Sequence, residues 1–536
     1  MRHLQKFFKR SSLAHNDEGF MVPAMISFII AAAILAVAVL GVILNNFFVV
    51  GHNVKSQQAF NIAEAGVDYY VWHLSHNGTD YQDGQGSPAT QDPNLGYGPY
   101  THDYVDANGD TTGTYTLWIK PQGIGSTIVT VTSIGKVNGS DATRTVQAKV
   151  GATSFASYAV LSDSELWFGN TESADGPVHS NIGVHMDGAN NDVVSSSNST
   201  YVPSTQYGGD GSTENGVWCD PTITSPVNCN TRSKANWQYP TTTVDFNQIS
   251  GSLCSLKKIA FSEDSSTSSL AGQSNACSQL PTMRTAAYVP ERSSSANVSR
   301  GYLINLNNDG TYDLYTVNNE KDTKTDYSSA LSPTLVASGI SFPTNGVIFV
   351  EDNVWVRSNP TFKGRLTIAS GRLATSVATN INIAGNVAYS TKDGSDVLGL
   401  VAEGSVEIAP YAAPSTGDFT LEIDAAMLAE TGNVQYRPVY NFSWFGSCTR
   451  GWVGDNQQLD FYGSVATRQN WTWSWEYSGR GGCGDAVYDS SSGYYISGFK
   501  NNTTHYDYNL LYAPPPGFPV TGGYTTLSWR EVLTKP

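Results

Sequence analysis

Charged side chains are scarce. They make up 14% of the chain, well below the roughly 25% of an ordinary soluble domain. Basic residues are the rarer kind, 30 against 46 acidic, for a formal charge of -16. That balance argues against a nucleic-acid binder, which needs a basic face. Methionine is rare at 6 and cysteine also at 6, too few for a disulfide-dense mini-protein. Catalytic signatures are missing. There is no G-x-S-x-G elbow, no H-E-x-x-H pair and no phosphate loop. What is plentiful is Gly, at 51 residues, with Ser, Thr and Asn throughout. This composition favours strands and turns over helices. The 536 residues have room for roughly three or four domains of about 150 residues, or fewer if one is a long β-fold.

The exception to this polar, β-prone character lies at the front. Residues 1–19 carry Arg2, Lys6, Lys9 and Arg10, then Asp17 and Glu18. From Phe20 to Leu44 no residue is charged. A helix of that length crosses a hydrocarbon core of roughly 30 Å. The basic flank places residues 1–19 in the cytoplasm and the rest, beyond about Val50, outside. A secretory signal would have a shorter apolar core, about 7–15 residues, and small residues at its cleavage site. Asn45, Asn46, Phe47 and Phe48 do not provide them. Past the apolar run, Val54, Ala59, Ile62, Ala63, Gly66, Val67, Tyr70 and Leu74 recur at three- and four-residue steps, an amphipathic continuation of the same helix.

The basic leader ending in Gly19, the apolar helix opening at Phe20, and Gln57-Gln58-Ala59-Phe60-Asn61-Ile62-Ala63-Glu64-Ala65-Gly66 resemble the N-termini of type IV pilin-like proteins of the PilX type. The resemblance covers about 75 residues. It implies cleavage between Gly19 and Phe20, and partners in membrane lipid and in other pilin-like subunits. Major pilins carry Glu at the fifth position of the processed helix, where this chain has Ala24. The resemblance therefore implies a minor component or assembly factor of a type IV pilus or related surface filament. Gly176-Pro-Val-His179-Ser-Asn181, Leu366-Thr-Ile-Ala369, Leu398 to Glu403, Tyr512 to Pro519 and Leu527-Ser-Trp529 are similar to ectodomains that follow such N-termini, for which no chemistry is implied.

The expected fold is a long N-terminal helix followed by a mostly-β ectodomain. Residues 1–19 form a leader and 20–75 the helix. Residues 76–113 read as loop-rich, and strands at 113–119, 127–132 and 143–150 complete a small sheet within 76–150. From 151 to 536 short apolar runs separated by Gly, Asn and Ser suit a parallel β-helix, with a β-sandwich as the alternative. Residues 151–345 hold its first part and an irregular, cysteine-bearing insert; residues 346–536 hold its C-terminal part and a closing segment.

In an exported chain the cysteines favour disulfides. Nearest-neighbour pairing gives Cys219–Cys229, Cys254–Cys277 and Cys448–Cys483. No metal or cofactor is expected. Trp471, Trp473, Trp475 and Tyr477 alternate, so a strand places them on one face, either as core or as a stacking surface for a surface glycan or protein. On the second reading the chain is a membrane-anchored carbohydrate-binding or polysaccharide-cleaving protein. His179 and His185 neighbour Ser180 and Asp187, and Asp393 with Asp396 or Asp455 with Asp460 are possible carboxylate pairs; turn and strand roles account for all of them. An enzyme is not expected.

Overall fold

The computed structural model describes residues 21–76, 80–85, 91–121, 128–262, 276–278, 281–292, 300–321, 326–375, 377–413, 418–437, 457–477, 487–489, 494–499 and 501–532. The uncharged run and its amphipathic continuation form one helix, α1 (Met21–His76), of 56 residues, about 84 Å at 1.5 Å per residue. Its first half touches nothing. Its second half buries Ala59, Ile62, Ala63, Gly66, Val67, Tyr70 and Leu74, the stripe that the spacing predicts except for Val54, which lies exposed.

That stripe lies on an antiparallel sheet built from β1 (Gln91–Asp92), β2 (Gly96–Val105), β3 (Thr111–Pro121), β4 (Ile128–Val137) and β5 (Thr143–Gly151). β2 corrects the loop reading of 76–113. Gly96 and Gly98 imitate turn residues in the sequence, but they are the positions where β2 passes closest to the backbone of β3. A Cβ on Gly96 would stand 2.1 Å from the Ile119 carbonyl oxygen, and one on Gly98 would stand 2.6 Å from that of Leu117. The sixth strand of this sheet is the chain's C-terminal one, Thr525–Val532, antiparallel to β5. The closing segment thus returns to the small head, across more than 370 residues of sequence.

Between β5 and that return lies the body. Its chain leaves and comes back through a two-stranded neck, where Ser154 bridges Val520, Phe155 N–H donates to Pro519 O at 3.0 Å and Thr521 N–H to Thr153 O at 2.7 Å. The body is organised by two parallel ladders. In the first, the strands Tyr288–Val289, Val347–Val350, Arg365–Ser370, Val397–Ala402, Phe419–Ala429 and Gln457–Thr467 pair in that order. Val350, Ser370, Ala402, Ala429 and Thr467 stand in register. Thr467 then pairs with Ser162, and the ladder continues through Val160–Ser162, Val178–Ser180, Val194–Ser196 and Trp237–Gln238. The last long rung of the C-terminal half therefore meets the first rung of the N-terminal half. The second ladder pairs Gly301–Asn307, Asn353–Asn359, Ile381–Ile383, Val406–Ile408, Val434–Tyr436 and Trp471–Thr472 in parallel. An antiparallel excursion, Thr311–Val317 and Thr334–Ser341, extends its edge.

The largest core lies between the ladders, with Ile348, Val350, Val356, Ile368, Ile383 and Leu400 among its members. The first ladder is buried on its other face too. There α2 (Gln248–Ser262) lays Ile249, Leu253, Leu256, Ala260 and Phe261 against Val347, Phe349, Ala369 and Val401. Burial on both faces explains why these strands read as apolar runs rather than as alternation. The irregular insert expected within 151–345 instead supplies α2, ladder strands and the excursion.

Asparagines stitch the corner that precedes the second ladder. Asn353 Oδ1 accepts from Asn380 N–H at 2.9 Å, Asn380 Oδ1 from Ser405 N–H at 2.8 Å, and Asn433 Oδ1 from Asn470 N–H at 2.9 Å. Ser405 Oγ accepts from Asn433 N–H at 3.0 Å. Each turn thereby lends a side-chain oxygen to the backbone of its neighbour, which satisfies donors that the ladder leaves over.

Candidate membrane and subunit interface

α1 is the one helix among the described residues long and apolar enough to cross a membrane; its most apolar window has mean hydropathy 3.0 and no buried residue. Met21, Phe28, Ile34, Val37, Leu44, Phe47 and Phe48 all lie exposed. An apolar surface this continuous is not tolerated by a chain free in water. Its length and composition suit it to lipid or to packing against other helices.

The second half of α1 is held very close to the sheet, and small residues on both sides allow it. A Cβ on Gly135 of β4 would stand 2.1 Å from Ala59 O and 2.5 Å from Ala63 N; one on Gly66 would stand 2.3 Å from Ser133 Oγ. The Ala63-Glu64-Ala65-Gly66 segment therefore has a physical reading: at Ala63 the helix backbone meets that of β4, and at Gly66 the side chains of Ser133 and Tyr115 press against the helix. Polar clamps fix the ends. Tyr70 Oη donates to Asp80 O at 2.9 Å, Tyr69 Oη to Asp83 Oδ1 at 3.0 Å, and His102 Nε2 lies 2.7 Å from Asp83 Oδ2. Nearer the apolar half, Arg144 donates to Ser56 Oγ at 2.8 Å and pairs with Glu531, whose carboxyl it holds below the usual range through that hydrogen bond. Arg144 also sits over the Phe60 ring, and Trp529 meets Phe60 edge-on at 5.7 Å. These clamps escape a reading of the sequence, because Arg144, Phe60, Trp529 and Glu531 are brought together only by the return of the last strand.

The other candidate residues take structural places. Trp471 and Trp473 lie in the core, Trp473 at 1% exposure, with Trp473 Nε1 donating to Thr504 Oγ1 at 3.2 Å and the two rings edge-to-face at 5.8 Å. Neither ring offers a stacking face. Trp475 is half-buried and donates to Tyr436 O at 3.0 Å. Tyr477 ends a short antiparallel strand, Ser474–Tyr477. His179 is buried in a ladder strand between Ser195 Oγ at 2.9 Å and Asn181 Oδ1 at 3.2 Å, and burial lowers its pKa. Ser180 Oγ donates instead to Ser164 O at 2.7 Å, so His179 and Ser180 are not paired; the hydroxyl beside His179 is that of Ser195, which donates to Val178 O at 3.1 Å. His185 is stacked between Trp218, at 3.7 Å, and Trp167, at 5.3 Å; its Nδ1 donates to Tyr207 O, and Nε2 lies 2.9 Å from Asp187 Oδ2. Asp396 accepts from the N–H groups of Gly364 and Thr391, and Asp393 from that of Ser395, as turn carboxylates do. Asp460 Oδ1 accepts from Thr503 Oγ1. The disulfides Cys219–Cys229 and Cys254–Cys277 are formed. Gly19, Phe20, Cys448, Cys483 and Asp455 lie outside the described residues. Among the described residues no group of three His, Cys, Asp or Glu side chains is placed to hold a metal ion.

No family model matches the chain, and no curated protein matches it either. Among solved structures, the competence-associated pilin ComZ from Thermus thermophilus is similar at 13% identity, covering 90% of this chain and 98% of that one, with a TM-score of 0.30.

Proposed function

We propose that the chain is a pilin-like, PilX-type minor component or assembly factor of a type IV pilus or related surface filament, carrying a large β-rich body outward for adhesion or another surface contact. The observation that carries this reading is the division of α1: an apolar half with nothing against it, continuous with a half clamped onto a sheet. A helix built this way holds first to lipid and then to neighbouring helices while its own domain stays attached. The parallel, in-register rungs of the body support its reading as a solenoid. Burial of Trp471 and Trp473 disfavours the anchored carbohydrate-binding alternative.

On this reading residues 1–19 are a leader removed at Gly19–Phe20, and the N-terminus starts in the cytoplasm with the body outside. The test is the N-terminal mass of the protein from native cells, together with its presence in sheared surface filaments. A chain beginning at Phe20 and co-purifying with filaments is expected. Gly19→Arg should stay at full length in the presence of a prepilin peptidase. A wild-type chain that the peptidase leaves uncut and that never leaves the membrane fraction overturns the proposal.

A further inference from the structure

α2 carries a lysine into the most apolar place available to it. Lys257 Nζ is in direct contact with Glu351 Oε1, and neither side chain has any exposure to solvent. Phe261 and Phe349 flank the ammonium position, each ring centre 5.8 Å away. Tyr288 Oη donates toward Glu351 Oε1 at 3.3 Å. The other carboxylate oxygen, Glu351 Oε2, has no hydrogen-bond partner among the described residues. A fully buried ion pair with one oxygen unsatisfied is an expensive arrangement, since the loss of hydration is repaid only when every lone pair finds a donor. Burial accordingly raises the Glu351 carboxyl to about 7, against the pull of Lys257.

We propose that Lys257 and Glu351 condense to an intramolecular isopeptide bond that ties α2 to the first ladder. The chemistry needs a neutral amine and a protonated carboxyl, and transfer of one proton from the Lys257 ammonium to Oε1, the oxygen that it touches, gives both. The Nζ lone pair then attacks the Glu351 carboxyl carbon. Oε1 leaves as water with that proton and one from nitrogen, with Tyr288 Oη donating to it as it departs, and Oε2 remains as the amide carbonyl. One C–N bond forms, one C–O bond breaks, and nothing is oxidised or reduced. The product removes both buried charges from the apolar interior.

This inference is independent of α1 and of any role in a filament. It is read from the mass of the full chain, expressed without a prepilin peptidase, purified in detergent and reduced. The wild type is expected at the sequence mass less one water, and its protease digest should contain a branched peptide joining the Lys257 segment to the Glu351 segment. Lys257→Arg, which keeps the charge but gives no such amide, should run at its full sequence mass. A wild-type chain of full sequence mass, with both segments recovered as linear peptides, overturns the proposal. So does a lost water that maps elsewhere or persists in Lys257→Arg.

Discussion

At the scale of single residues, the stability of the body depends on side chains that serve a neighbouring turn rather than their own. Asn380 is the clearest case, because its Oδ1 receives the Ser405 N–H while its own N–H is received by Asn353. Asn380→Ala leaves the Ser405 donor without that partner inside a packed corner and should cost about 1–3 kcal/mol. Thermal unfolding of the variant measures it, and Asn380→Asp should recover part of the loss. Asp424 makes a second residue-scale prediction. Burial pushes its carboxyl up to about 6 despite a hydrogen bond from Tyr389 N–H and the nearby Lys392 ammonium, 2.9 Å away. The folded chain therefore keeps a proton that the unfolded chain gives up near pH 4. The stability from this group is fully present below pH 4 and is lost as pH rises through about 6, a change of about 2–3 kcal/mol. Asp424→Asn should flatten that part of a melting-temperature profile; an unchanged slope would assign the titration to another group.

At the scale of elements, what is legible follows from local chemistry. The two halves of α1 are written in hydropathy and in three- and four-residue spacing. The ladder strands are written in short apolar runs such as Val347–Val350 and Val397–Ala402. Cys219–Cys229 and Cys254–Cys277 follow from nearest-neighbour pairing. The misses share a cause. β2 hides behind Gly96 and Gly98, whose turn chemistry is overridden by close strand approach. α2 hides because Ser and Lys residues interrupt its stripe, and Lys257 counts as polar although it is buried. The last strand hides because its residues are mostly exposed and its partner lies at the other end of the sequence. Cys254–Cys277 fastens α2 over a separation of 23 residues, against 10 for Cys219–Cys229. Loop-closure entropy makes the longer loop the more valuable, at about 3 kcal/mol. Replacing Cys254 and Cys277 by Ala should lower the melting temperature more than replacing Cys219 and Cys229, and only the former should speed proteolysis around α2.

At the scale of the whole molecule, the chain divides into a surface that water rejects and a remainder that water accepts. From Phe20 to Asn53 there is no Asp, Glu, Lys or Arg. Everything beyond carries a net charge of -18, which keeps such a body dispersed. All helix residues buried on the sheet lie at or after Ala59. A chain starting at Val54 should therefore fold, run as a monomer without detergent in gel filtration, and melt close to the full-length protein. Aggregation of that truncated chain would show that residues 21–53 contribute to folding as well as to anchoring.

The neck at Ser154 and Val520 has a mechanical consequence. Because the outgoing and incoming strands are fastened side by side to one platform, a tug on the body loads the Gly151–Thr525 junction lengthwise, many bonds at once, instead of peeling them singly from a loose tail.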